Sequence, residues 1–279
     1  MIRPLIATLA LTLVPAVAIA QTLPSPSPAP SAAPSTLYPA LGNNDPCTSL
    51  SAIVTRPSVS NSVCTVRPNH VLIESGYTNT TANGGGNTVA YPQALIRVGT
   101  AIRALEFDVI PPSLLRTNTG GVTTGTTDAG AGLKYVLGYT PKFNYGAQFF
   151  FTAPTGTNGF SSNGTNANYA LQAGYTLSSV FSLAAAAQVF SFANNGARYS
   201  SFVPSIVLNA SLPNSSGVFI EAAQFTKANG PGTPTRTQYI LGVTHDVGQR
   251  LQLDVEGGLS PTTATGKYRF IGFGFAYYL

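Results

Sequence analysis

Charge is what this chain has least of. Only 8% of its 279 residues are Asp, Glu, Lys or Arg, against about 25% in ordinary soluble domains. A soluble fold solvates its outside with Lys and Glu, so a water-facing surface of the usual kind is excluded. Trp is absent, Met occurs once, and the two histidines are His70 and His245, which leaves little material for metal or nucleophilic chemistry. The basic residues are scattered, so the formal charge of +5 makes no nucleic-acid footprint. Beyond the N-terminus no stretch reaches the ~18–20 apolar residues of a spanning helix. The most helix-like piece, Val180 to Ala193, is short and carries Ser182, Gln188 and Ser191. If such a chain crosses a membrane it must close a β-barrel, because lipid satisfies no open strand edge.

The N-terminus is a different kind of segment. Arg3, the apolar run Leu5 to Val17 and the small-x-small signature Ala18-Ile19-Ala20 before Gln21 read as a secretory signal peptide over residues 1–20. An uncleaved N-terminal helix is the alternative. No Cys stands at the cleavage point, which argues against a lipoprotein. Removal of Arg3 takes the charge from +5 to +4. Export exposes the chain to an oxidising compartment, so Cys47 and Cys64 are expected to form a disulfide, two free thiols being the alternative. With His70 distant they make no metal site, and no cofactor is expected. Residues 21 to about 46 include Pro24-Ser25-Pro26-Ser27-Pro28-Ala29-Pro30, a composition that buries too little to fold and tends to polyproline geometry. Residues 47–69 form a small Cys-bracketed loop that sits under a barrel or folds into its lumen. The expected division is a signal peptide over 1–20, a Pro-rich periplasmic leader with the Cys47–Cys64 loop over 21–69, and a barrel over 70–279.

From His70 onward the chain becomes a series of alternating segments of roughly ten residues separated by turn chemistry, the transmembrane-barrel pattern. Twelve are discernible, at about 70–78, 88–98, 103–110, 130–140, 143–152, 168–177, 180–192, 201–212, 217–227, 236–246, 250–259 and 268–279. In the sixth, Tyr169, Leu171, Ala173, Tyr175 and Leu177 oppose Ala170, Gln172, Gly174 and Thr176. A soluble sandwich also alternates, but its wet face carries charge; here the polar faces are Gly, Ser, Asn and Gln. Connections alternate between long and short. Asn79 to Asn87, Pro111 to Ala129, Ala153 to Ala167 and Asn194 to Ser200 are among the long ones, Pro141-Lys142 and Ser178-Ser179 among the short. An even count with both termini in the periplasm produces this alternation. Two segments stand out. The Ala184 to Ala187 run also suits a helix, and the ninth segment loses phase at Ala222-Ala223, as at a bulge. A fourteen-strand count follows if residues 47–69 pair. The fold class is thus all-β, a transmembrane antiparallel up-and-down barrel of about twelve strands with a Pro-rich N-terminal extension.

Phase puts Glu74, Arg97, Glu106, Asp108, Lys134, Glu221, Arg250, Asp254 and Glu256 on inward faces, as pore-lining candidates that would set the field of a channel, or simply pair with one another and fill the barrel. Gln148, Gln172, Gln188 and Gln252 share those faces. An enzymatic reading lacks a base in the right place: His70 and His245 both fall on the periplasmic side, and no catalytic residue is assigned. At the C-terminus Ile271, Phe273, Phe275, Tyr277 and Leu279 form an aromatic, apolar stripe toward lipid, while Gly272, Gly274 and Ala276 keep the inner face small, as beside an open pore.

Val71-Leu72-Ile73-Glu74-Ser75-Gly76-Tyr77, Tyr91-Pro92-Gln93, Arg97-Val98-Gly99 and the closing aromatic strand resemble a family of outer-membrane transporter-like proteins named for the meta-pathway of phenol degradation. The resemblance runs from about His70 to Leu279. It implies a barrel and an uptake channel for aromatic or other small hydrophobic solutes, and brings no catalytic set. The expectation is a passive outer-membrane channel in the bacterial outer membrane, its partners being outer-membrane lipid and lipopolysaccharide, the barrel assembly machinery and a small-molecule solute. A structural or adhesive surface barrel with a blocked lumen is the alternative.

Overall fold

The computed structural model describes residues 38, 40–194, 197–227, 230–261 and 266–279. The expected signal peptide over residues 1–20 and most of the expected Pro-rich leader lie outside the described residues. Among them the only helix is the single turn α1 (Leu50–Ile53), and no helix is long and apolar enough to cross a membrane.

Everything else regular is strand: β1 (Val71–Ala82), β2 (Asn87–Tyr91), β3 (Leu95–Gly99), β4 (Leu105–Ile110), β5 (Leu114–Asn118), β6 (Val122–Thr126), β7 (Ala129–Tyr139), β8 (Phe143–Ala153), β9 (Asn166–Thr176), β10 (Phe181–Asn194), β11 (Ala197–Leu212), β12 (Ser216–Phe225), β13 (Arg236–Val247), β14 (Leu251–Ser260) and β15 (Tyr268–Tyr278). All are antiparallel neighbours in one sheet, which closes where β15 pairs with β1 from Leu72 opposite Tyr278 to Ala82 opposite Tyr268. The fifteen pieces make twelve staves, because β2–β3, β4–β5 and β6–β7 are each one stave with an interruption. Ile96 opposite Val109 and Asn87 opposite Asn118 fall on one register, as do Leu105 opposite Tyr135 and Leu114 opposite Thr126. Two of the interruptions sit at Pro92 and at Pro111-Pro112, where a residue without an N–H cannot donate to the ladder, and the third at Thr127-Asp128, between β6 and β7. Gln93 takes a φ of 46° beside the first.

The twelve-stave count agrees with the alternation of the sequence, and several details differ. Residues 111–129, expected as a soft loop, are mostly the β5–β6 hairpin. The 194–200 connection is largely the ends of β10 and β11. Both arise because Thr, Asn and Ser strands above the lipid pair their backbones as well as apolar ones do. The Ala184 to Ala187 run is strand, paired on both sides. No bulge occurs at Ala222-Ala223: β12 keeps one register with both neighbours, and Ala223 is buried inward while Ala222 faces out. Two alanines in a row simply carry no contrast for phase. The register shift lies instead between Val136 and Gly138 of β7.

The side-chain distribution is inside out relative to a soluble protein. Leu171, Leu241, Ile271 and Phe273 are each more than half exposed, whereas Glu74, Arg97, Glu106 and Lys134 are fully buried. Apolar area left in water costs about 25 cal/mol per Å², so this wall is built for lipid. Aromatic pairs such as Phe143–Tyr145 stack along the outer face at 5.7 Å, and the C-terminal stripe Ile271, Phe273, Phe275 and Tyr277 faces outward as its phase requires.

Candidate functional site in the barrel lumen

The Cys-bracketed segment answers the question its sequence left open: it lies inside the barrel. Cys47 and Cys64 are disulfide-bonded and buried, and they pack with Leu50, Ile53, Val54 and Val66 against the inward-facing Leu72, Ala276 and Tyr278. Ser49 caps α1 by accepting from the Ala52 N–H. Arg67, also fully buried, pairs with Asp45 at 2.6 Å and donates to the Cys47 carbonyl. Residues 45–67 thus form a plug with a small core of its own.

The acidic candidates hold this plug. Glu74 on β1 accepts from the backbone N–H groups of Thr55 and Arg56 at 3.1 and 2.7 Å. Glu106 on β4 accepts from Val66 N–H at 2.6 Å. Glu221 on β12 accepts from the N–H groups of Val59 and Ser60 and from the hydroxyls of Ser58 and Ser60. Asp254 on β14 pairs with Arg56 at 3.3 Å. Arg97 on β3 binds Glu74 at 2.7 Å and Glu106 at 2.9 Å, and donates to the Ile53 and Cys64 carbonyls of the plug. Lys134 completes the set at 3.3 Å from Glu106. Buried carboxylates of this kind persist only when paired and hydrogen-bonded, and the partners come from both wall and plug.

Among the remaining candidates, Asp108 is buried beside Gln148, whose amide stands 3.5 Å away. Glu256 lies inward with no hydrogen-bond partner among the described residues. Arg250 is a correction: it is exposed in the turn before β14, outside the lumen, because the strand starts one residue later than its pattern suggests. The small inner face of β15 is a second correction. A methyl group on Gly274 or Gly76 would stand 2.5 or 2.3 Å from the Arg56 guanidinium, and one on Gly272 would stand 2.8 Å from the Glu256 carboxylate. That space seats side chains, chiefly the plug's arginine.

The sequence did not single out Asp45, Arg56 and Arg67. Their signal was present: two arginines and a row of serines in the Cys loop match an inward wall of carboxylates. Asp128, between β6 and β7, was also missed. It accepts from Gly156 N–H, Ser162 N–H and the Ser162 hydroxyl, pinning the β8–β9 loop. His245 does find a serine, with 2.9 Å between its Nδ1 and Ser216 Oγ, but the pair is exposed at the mouth opposite the long loops, and among the described residues no carboxylate forms an ion pair with the imidazole.

Two cavities flank the plug. One of about 520 Å³ lies between it and the β9–β14 wall, lined by Asn61, Val63, Tyr175, Leu183, Val207 and Asp246 among others. The other, of about 500 Å³, opens toward the far mouth and is lined by Val59, Arg236, Gln238, Tyr268, Phe270 and Glu256 among others. Pro57 lines both. Among the described residues no group of His, Cys, Asp and Glu is arranged to hold a metal.

A closed antiparallel barrel with an apolar outer wall and a polar, charged interior is a transmembrane barrel of the bacterial outer membrane. The family model described as "Putative MetA-pathway of phenol degradation" matches residues 55–279, and the chain belongs to that family. Among solved structures it is similar to the COG4313 outer membrane channel from Pseudomonas putida F1, with a TM-score of 0.57 and 15% identity over 80% of this chain and 99% of that one. It is also similar to the NanC porin, with a TM-score of 0.51 and 8% identity over 73% and 98%. At such identities the likeness is one of fold. No curated protein matches the chain.

Proposed function

We propose that this barrel is a passive outer-membrane channel for small solutes, aromatic or otherwise hydrophobic, and that its own plug is the gate. The observation that carries this reading is the pair of lumen cavities separated by one turn of plug, Arg56 to Ser60, which is tied to the wall chiefly by Asp254, Glu74 and Glu221. A solute passing from one cavity to the other has only that turn to displace. The family description, with its reference to phenol degradation, favours aromatic solutes. In this reading residues 1–20 are removed on export and the Pro-rich leader lies in the periplasm. The barrel assembly machinery inserts the chain among outer-membrane lipid and lipopolysaccharide. No enzymatic step is assigned to it.

The test is conductance in planar bilayers together with liposome swelling by small aromatic and polar solutes. Glu221→Ala strips the acceptor from the buried Ser60 N–H and the part-buried Val59 N–H, a loss of about 1–3 kcal/mol at an unsatisfied buried site. It is expected to raise open probability and solute flux over the unmodified protein. The second reading, a surface barrel with a blocked lumen, is favoured by the number of wall groups that hydrogen-bond the plug, Glu74, Arg97, Glu106 and Glu221 among them. Absence of conductance and flux both in the unmodified protein and in Glu221→Ala would reject the channel and leave that reading.

A further inference from the structure

The cavity at the long-loop mouth contains an arginine that the plug network does not use. Arg236 begins β13, and it shares the inward phase of Gln238 and the buried Ile240, while Tyr239 and Leu241 face lipid. Its guanidinium carbon stands 5.0 Å from the centre of the Phe225 ring and 5.1 Å from that of Tyr268. Contact of this kind with ring faces favours the cation and orients the guanidinium plane. The Tyr268 hydroxyl is itself fixed, donating to Gln238 Oε1 at 2.6 Å. Yet Arg236 Nε is buried without a partner, and among the described residues no carboxylate forms an ion pair with this side chain.

The rest of the cavity is of opposite character. Ile240, Phe270, Val59 and Pro57 give it an apolar wall and floor, Thr78 and Thr80 of β1 add two hydroxyl-bearing side chains to the lining, and Glu256 lies deeper, six residues along the neighbouring register from the arginine's end of the sheet. At about 500 Å³ it falls within the usual range of small-molecule sites, ~300–1,000 Å³. A fixed, unpaired guanidinium at the rim, apolar surface below it and a carboxylate at the base select a ligand with one anionic end and an apolar body. The planar fork of Arg matches a carboxylate in two parallel hydrogen bonds, and the deeper Glu256 keeps the negative end at the rim.

We infer that this vestibule is a binding site for an organic carboxylate with an aromatic or aliphatic body, its carboxylate on Arg236 and its apolar part against Phe270, Ile240 and Val59. The inference deepens the channel reading, since the site would collect solute ahead of the gate. It is tested by binding alone, on the purified full chain in a non-ionic detergent, using titration calorimetry or saturation-transfer NMR with benzoate as probe and benzyl alcohol as its uncharged counterpart. Saturable benzoate binding is expected, weakened about tenfold or more by Arg236→Gln and less by Arg236→Lys, with benzyl alcohol binding about tenfold more weakly than benzoate. Arg198→Gln, at an exposed arginine outside the cavity, should leave it unchanged. Heat-modifiable gel mobility confirms that each variant is a folded barrel. Equal benzoate affinity in Arg236→Gln, or equal affinity for the uncharged probe, would overturn the site. A barrel that binds benzoate but passes no solute would keep the site and lose the channel; one that conducts but binds no benzoate would do the reverse.

Discussion

A methyl group at Gly99 would stand 1.8 Å from the carbonyl oxygen of Arg67. Backbone meets backbone there, and neither can yield without moving the plug. Gly76 is different, since its neighbour at 2.3 Å is the tip of the Arg56 side chain, which can swing aside. Gly99→Ala is therefore expected to cost about 1–3 kcal/mol as an overpacked contact and to raise basal conductance, while Gly76→Ala costs less. Thermal unfolding followed by heat-modifiable mobility, with bilayer currents alongside, checks both. Glu74, Gly76, Arg97 and Gly99 all fall in the stretches that carry the family resemblance, and all touch the plug. Those motifs look like ordinary strand grammar in the sequence, but their identities are set by what lies inside the barrel.

Among the elements, the β8–β9 loop shows how a flexible-looking connection is fixed. Burial alone would raise the Asp128 carboxyl. Hydrogen bonds from the side chain and backbone of Ser162, from Ser161 and from Gly156 N–H outweigh that and hold it down to about 2, below its ordinary 3.8. The ionised form is the one the loop binds. Its contribution to stability is thus complete above the ordinary value and is lost as pH falls through about 2. Hydrogen exchange at residues 156–162, corrected for intrinsic rates, should accelerate between pH 5 and pH 2, and Asp128→Asn should show the faster exchange already at pH 5. An exchange rate independent of pH in the unmodified protein would rule out the anchor.

At the scale of the whole molecule the wall separates two media, and each residue's tolerance depends on which one it faces. Leu171 stands at the middle of β9 and is 63% exposed. In a soluble protein such a position accepts a charge freely. Here Leu171→Arg places a cation near the bilayer midplane, where it costs about 2–4 kcal/mol. Folding into lipid vesicles should be weakened by that amount, as read from denaturant midpoints, and an unchanged midpoint would mean that this face does not meet lipid.

The sequence by itself determined the barrel: its scarcity of charge, its period of two and its even set of staves follow from local alternation, which each strand displays on its own. It made the disulfide an expectation on another ground, the oxidising compartment of an exported chain, with two free thiols as the alternative that the folded barrel removed. Which carboxylate meets which donor was decided only by closure. Arg56 meets Asp254 and Ser60 meets Glu221 across 198 and 161 residues, and no periodicity records a partner at that distance. The glycines of β15 show the limit most plainly. Alternation marked their face as small, but only the folded barrel showed that an arginine from the plug occupies the space, because emptiness and a seat for another segment leave the same pattern in a strand.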